Sequence, residues 1–262
     1  MVSNMPLRMR LRSGAPVSLA VSPCSDMALE TNLSFGLTRF TPPPSDDMGF
    51  FPRSCVYDPR PQICHEGFPG HHLQLAISQR HPRLVRRHYL DSVSNEGIGT
   101  YLEEMLLHAG LFDDEPHTRA DIWRYYRLRV LRIISDLQLG CGEADIETAA
   151  QYLEREVPMD RATALEDARM YLATPGLGLS YGIGKAQIMR FLALARSKHE
   201  AEAAAEGGSS GGDVDFDLQA FHDALWLNGN VPIELQAYEM LGGTPPPAIA
   251  RLVAEAGAGA QL

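Results

Sequence analysis

From residue 65 onward, apolar residues recur along this chain at helical spacing. Ile98, Tyr101, Leu102, Met105 and Leu106 stand at i, i+3, i+4, i+7 and i+8, the stripe of an amphipathic helix. Between Asp121 and Leu139 the pattern returns with Ile122, Tyr125, Tyr126, Val130, Ile133 and Ile134. A short helix is expected over Asp145–Glu156 with Asp145 as N-cap. Another spans Ala162–Ala173 and ends before Pro175, and a long one covers Tyr181–Glu206. Gly207–Gly212, all glycine and serine, reads as a flexible linker. Leu218–Leu225 is helical, Asn228-Gly229-Asn230 is a turn, and Pro232 suits the first turn of a last helix. Residues before 60 carry Pro42-Pro43-Pro44 and Phe50-Phe51-Pro52. Proline fixes the backbone and removes a donor, so loop and short extended pieces are expected there, with a strand or edge segment over Leu33–Phe40. The tail from Ala256 is small and expected to fray. The fold class is therefore mainly α: a loop-rich segment (1–60), a helical domain (61–250) and a flexible tail (251–262).

Composition narrows the partners. The chain has 262 residues, 45% hydrophobic, with a formal net charge of -10 and a pI near 5.3. Such a surface repels nucleic acid and anionic membranes, so neither is expected as a partner. Cys24, Cys55, Cys64 and Cys141 show no C-x-x-C pairing, which suits free thiols in a cytoplasmic protein. Arg8, Arg10 and Arg12 before Pro16–Val21 loosely resemble a signal peptide, but the apolar stretch is short and interrupted.

The chemistry concentrates in His65-Glu66-Gly67-Phe68-Pro69-Gly70-His71-His72. Three imidazoles and a carboxylate are donors that zinc and other borderline divalent metals prefer. In the helical H-E-x-x-H motif, histidines four apart share a face about 6 Å apart along the axis. Here that fourth position is Pro69. In an unbroken helix His71 would lie about 9 Å along and off the face, and His72 about 10.5 Å along. Neither suits one metal with bonds of about 2.0–2.1 Å. Pro69 breaks the helix, and a looped segment between Glu66 and His71 then returns a histidine to the motif's place. On this reading His65 and His71 bind zinc and Glu96 adds a third ligand from the next helix. Glu66 acts as general base. His72 stays open as an alternative ligand, or as a substrate contact. Glu96, Glu103 and Glu104 also suit the solvated face of a helix. Glu96 and Glu103 nevertheless share a face, so one can bind metal while the other orients a histidine.

These stretches resemble the domain-of-unknown-function 885 family, with its H-E-A-x-P-G-H-H-x-Q and E-G-W-A-x-Y-x-E motifs. The matching residues are His65–Gln74 and Glu96–Glu103. Tyr171–Gly176 and Leu179–Lys185 resemble its R-Y-x-x-x-P-G-Q-A-x-S-Y-K-x-G, and Phe221–Leu225 with Gly229–Ile233 its F-H-D-x-x-L-x-x-G-x-V-P-L. The family is similar to helical gluzincin-type zinc carboxypeptidases. The resemblance implies a zincin-like helical metallohydrolase core with zinc on His65, His71 and Glu96, and Glu66 as base. It also implies an oxyanion-binding tyrosine, for which Tyr181 is the candidate. Arg132, Lys185 and His222 join His72 and Glu103 as residues expected to support the ligands or touch substrate.

Three departures stand out. The N-terminal helical half that walls the channel in such proteins has no counterpart in this sequence. Tryptophan of E-G-W is replaced by Ile98. The family's D-T-G-x-H becomes Asp136-Leu137-Gln138-Leu139-Gly140, without its histidine. A changed channel around a surviving centre suits a biosynthetic or tailoring enzyme, and a homodimer would rebuild the lost wall. The leading expectation is a zinc-dependent hydrolase of an amide or peptide-like bond in a small molecule or short peptide. A metal-dependent lyase or cyclase, or an iron oxygenase, uses the same donor set. An inactive metal- or ligand-binding protein is the third reading.

Overall fold

The computed structural model describes residues 7–10, 16–19, 49–157, 159–205, 216–243 and 250–251. Leu33–Phe40, Gly207–Gly212, Cys24 and the tail from Ala256 lie outside these residues. The fold is mainly α. A hairpin of β1 (Leu7–Arg10) and β2 (Pro16–Leu19) pairs antiparallel, Leu7 opposite Leu19. Eleven helices follow among the described residues.

The first helix departs from expectation. α1 (Phe50–Tyr57) includes Phe50-Phe51-Pro52, read above as loop. Pro52 falls in the first turn, where its missing N–H would have had no intrahelical partner anyway. Phe50 and Phe51 pack on Tyr125, and the Phe50 N–H donates to Asp160 at 2.7 Å.

Next come α2 (Arg60–Glu66), α3 (His71–Ser78) and the short α4 (Leu84–His88). The helix breaks between Glu66 and His71, as Pro69 requires. α5 (Ser92–His108) and α6 (Pro116–Gly140) are long. α7 (Ile146–Glu156) and α8 (Arg161–Ala173) form a hairpin. α9 (Leu177–Ala205) begins before the expected Tyr181, and α10 (Leu218–Leu227) and α11 (Ile233–Leu241) close the fold. Aspartates start several helices. Asp91, Asp145, Asp160 and Asp217 each accept from a backbone N–H in the first turn at 2.8–3.0 Å, contacts worth about 1 kcal/mol apiece.

Two large apolar cores result, with a smaller cluster of Cys64, Leu107, Phe112 and Ile122 beside them. One joins α6, α7 and α8 through residues such as Leu128, Leu139, Ala149, Leu153 and Ala168. The other joins α5, α9, α10 and α11 through Ile98, Leu102, Ile188, Phe191, Leu225 and Ile233. α5 and α9 form the most extensive helix pair. They approach closely because two glycines meet: a Cβ on Gly97 would stand 2.6 Å from the Gly184 Cα.

On α6 the buried face is the expected one at Ile122 and Tyr125 but not farther along. Val130 and Ile134 are exposed, whereas Arg129, Arg132 and Asp136 are buried with Tyr125, Leu128 and Leu139. The reason is what α6 packs against. Glu103, Asp167 and the backbone at the start of α9 draw its charged side chains inward.

Candidate metal centre

Three elements deliver the central donors. His65 stands near the end of α2, His71 opens α3, and Glu96 lies on α5 one turn after its Asp91 cap. Ligand atoms of His65, His71 and Glu96 all lie within 4.8 Å of one another. Both imidazole Nε2 atoms are 3.4 Å from the same Glu96 oxygen, Oε2. Tetrahedral bonds of ~2.0–2.1 Å separate neighbouring donor atoms by about 3.3–3.4 Å, which the two histidine–glutamate spacings match. The two rings stand edge to face, centroids 4.6 Å apart. Gly99 makes room for His65, since a Cβ there would lie 2.5 Å from its Cε1. His72 is not part of this convergence.

Behind His65 lies a charged relay. Its Nδ1 meets Glu103 Oε1 at 2.8 Å. The carboxylate of Glu103 is gripped by both guanidinium nitrogens of Arg129, one at 2.7 Å. All three are buried. Burial disfavours ionised Glu103, but the Arg129 charge and the His65 hydrogen bond outweigh it and keep its carboxyl below the usual range. Burial would also lower His65, yet hydrogen bonds to Glu103 and Glu96 carry it up to about 9. Burial would raise Glu96, but hydrogen bonds from His65 and His71 hold it far below the ordinary carboxylate range. His71 has no such support: its Nδ1 is buried without a hydrogen-bond partner among the described residues.

Glu66 ends α2 beside His65, and its Oε1 accepts from Gln62 at 3.1 Å. Tyr181 lies near both Glu66 and Glu96, whose charges act on it. Burial first, then the Glu96 charge, push its phenol up to about 12, so it keeps its proton at ordinary pH. The guanidinium of Arg132 sits over its ring at 5.1 Å and that of Arg129 at 5.7 Å. Arg132 is itself fixed by Asp167 at 3.0 and 3.1 Å. Asp136 accepts from the Gly176 and Leu179 N–H groups, which fixes the start of the helix that carries Tyr181.

The remaining candidates are engaged elsewhere. Lys185 pairs with Glu104 and lies 3.7 Å from the Tyr126 ring centroid. The Nε2 of His222 meets the Tyr101 hydroxyl at 2.8 Å. Neither makes a contact with the three central donors among the described residues. The loop between Glu66 and His71 is fastened by a residue the sequence did not single out: the Trp226 indole N–H donates to the Pro69 carbonyl at 2.8 Å. Arg129 was also missed. Its signal was the spacing Tyr125, Leu128, Arg129, Arg132, Asp136, a helical face in its own right.

The profile of the bacterial proteins of unknown function called DUF885 matches residues 57–240. The chain belongs to the DUF885 family. No curated protein matches it. Among solved structures it is similar to a protein called a "putative lipoprotein of unknown function" from Shewanella oneidensis. That match has a TM-score of 0.62 and 23% identity, over 85% of this chain and 40% of the other. A "putative lipoprotein" from Colwellia psychrerythraea matches with a TM-score of 0.60 and 24% identity, over 68% of this chain and 28% of the other. These likenesses show the fold. The DUF885 chain described here spans less than half the length of either neighbour.

Proposed function

We propose that this DUF885 protein is a zinc-dependent hydrolase of an amide or peptide-like bond in a small molecule or short peptide. We also propose that its core is related to the helical zinc carboxypeptidases. The observation that carries the reading is the convergence of His65, His71 and Glu96 within 4.8 Å, with both histidines 3.4 Å from one Glu96 oxygen. Glu66 follows His65 directly at the end of α2, and the charges of Glu96 and Glu66 act on a protonated Tyr181. When bound, zinc supplies Lewis acidity and lowers the pKa of a coordinated water to about 7. His65, His71 and Glu96 are the residues that would hold it, with Glu103 and Arg129 fixing the His65 tautomer. Glu66 takes the proton from the attacking water and returns it to the leaving amine. Tyr181 donates its hydroxyl hydrogen to the developing oxyanion, its ring held beside the Arg132 and Arg129 guanidiniums.

The test is the metal content of the purified protein by elemental mass spectrometry, with Glu96→Ala and Glu66→Gln alongside, followed by an amide-substrate screen. About one zinc per chain is expected, lost in Glu96→Ala and kept in Glu66→Gln. Turnover in Glu66→Gln should fall at least a hundredfold, the scale of general-base catalysis. Iron in place of zinc would move the reading to oxidative tailoring, which the same two-histidine, one-carboxylate set supports. No metal after incubation with zinc would sink the reading and leave a binding protein.

A further inference from the structure

The segment joining α3 to α5 is built inside out. In α4 the inward residue is an arginine: Arg86 is buried, hydrogen-bonds the Asn228 carbonyl at 2.6 Å and pairs with Glu239. The outward residues are apolar. Leu84 is 67% exposed and Val85 70%, and Tyr89 and Leu90 beyond them are about half exposed. Leu84 and Val85 are one turn from His88 and Tyr89, so these four share the outer face. The turn after α10 adds to it. Leu227, 60% exposed, precedes the Asn228 that Arg86 grips, and Leu90 bridges to Asn230. Val85, Leu84, Leu227 and Leu90 are four of the five most exposed large hydrophobics among the described residues, Tyr57 being the fifth.

The same segment reverses the charge of the chain. From Gln79 to Leu90 there are four arginines and no carboxylate, in a protein of net charge -10. Arg80 and Arg83 are exposed and Arg87 half-buried. Two of them are tied to His81, whose Nδ1 accepts from the backbone N–H of Arg83 and whose carbonyl accepts from the Arg87 guanidinium. None of the three has a carboxylate partner among the described residues.

We infer that this patch is a peripheral contact site for an anionic lipid surface. Outward aliphatics and a tyrosine, with arginines that have no carboxylate partner in the same segment, have the composition of interfacial membrane contacts. Exposures of 67% and 70% belong to a protrusion that enters another phase, not to a groove that receives a peptide. Net negative charge does not forbid this. Charges beyond a Debye length of about 8 Å are screened, and the local arginines meet the surface first. The patch lies on the connection between the helix bearing His71 and the helix bearing Glu96, so the membrane would hold the candidate centre close to its surface.

The test is flotation of the full chain with vesicles of phosphatidylcholine alone, or of phosphatidylcholine with one third phosphatidylglycerol. The variants are Leu84→Ser with Val85→Ser, and Arg80→Gln with Arg83→Gln. Wild type should float with the anionic vesicles only. The arginine pair should weaken binding about 25-fold, at about fivefold per residue, and the apolar pair should abolish it. Both variants should keep the wild-type melting temperature. Absence of flotation, or flotation indifferent to the apolar pair, would overturn the inference. So would a concentration-dependent dimer that the apolar pair makes monomeric, because a second copy would then cover the patch. A lowered melting temperature in that variant would point to cover by another part of this chain, with the same consequence. None of these outcomes depends on metal.

Discussion

Two buried regions of this protein are made of different material. Between α6, α7 and α8 the interior is aliphatic and small, with Ala149, Ala150, Leu153 and Ala164 each 0% exposed. Of its ion pairs, Arg161 with Glu147 and Glu154 lies toward solvent, and the one buried pair among the described residues, Arg132 with Asp167, sits where α6 and α8 face the Tyr181 ring. Around His65 the interior holds an imidazole, two carboxylates and a guanidinium. Burying apolar surface stabilises a fold without specifying chemistry. Burying charges destabilises it unless each one is paired, and persists where function requires it. The α6–α8 region thus reads as scaffold and the His65 region as a site.

Removing one member of the charged relay breaks that distinction hardest. Glu103→Ala leaves Arg129 buried without its partner, a loss of about 3–5 kcal/mol of stability. It also removes the orienting bond to His65, and zinc affinity should fall 10- to 100-fold. Urea unfolding of the metal-free protein and a chelator-competition titration would measure the two effects. Unchanged zinc affinity would mean that Glu103 is only structural. In the apolar region Leu153→Ala should cost about 3 kcal/mol and leave zinc affinity where it was. A parallel loss of affinity would show that the two regions are not separable.

The same contrast explains what could be read in the sequence. α7 was legible, cap included, because a half-buried helix against an aliphatic core follows hydrophobic periodicity, and Asp145 holds the Thr148 N–H. α6 was legible as a helix but not in its orientation. Counting only apolar residues selects Val130 and Ile134, which face outward, and passes over Arg129 and Arg132, which face the site. The break at Pro69 followed from proline's missing N–H. Which histidine returns to the centre depended on the path of the loop, which no local rule supplies. Trp226 had no local signal either, because its partner is the Pro69 carbonyl on a distant segment. The family pattern quoted above has tryptophan where this chain has Ile98 and leucine where it has Trp226. Both side chains belong to one core cluster, so a large ring absent from α5 is present on α10.

Protons sharpen the comparison, because the charged region holds a buried histidine whose pKa is raised by its carboxylate partners. With its folded pKa raised to about 9, His65 must give up a proton to bind metal. Zinc affinity should therefore rise about tenfold per pH unit from pH 7 to 9, roughly a hundredfold in all, and level off above. The metal-free protein should move the opposite way. A raised histidine contributes stability that is fully present below about 6.5 and lost as pH climbs through about 9. Zinc titrations and melting curves across this window check both signs. Zinc affinity flat with pH would mean that His65 is already neutral in the metal-free fold.

The smallest effect isolates the loop. The chain has two tryptophans, Trp123 and Trp226. Trp123 is exposed, and Trp226 is 7% exposed with its N–H on the Pro69 carbonyl. Trp226→Phe keeps an aromatic ring in the core but removes the donor, a loss of about 1 kcal/mol. His71 has no hydrogen bond of its own at Nδ1, so among the described residues the loop that presents it is held, beyond Trp226, by backbone bonds only, such as the Gly67 N–H to Ile63 and the Leu73 N–H to Gly67. The loss should therefore appear in zinc affinity, by several-fold, as well as in stability. Trp123→Phe should change neither quantity. It also leaves Trp226 as the sole indole, so its emission reports on the loop directly. A zinc-dependent shift of that emission is expected if the Pro69 loop tightens when His71 is engaged. Trp226→Phe with full stability but wild-type zinc affinity would show that the loop is held from the His71 backbone alone.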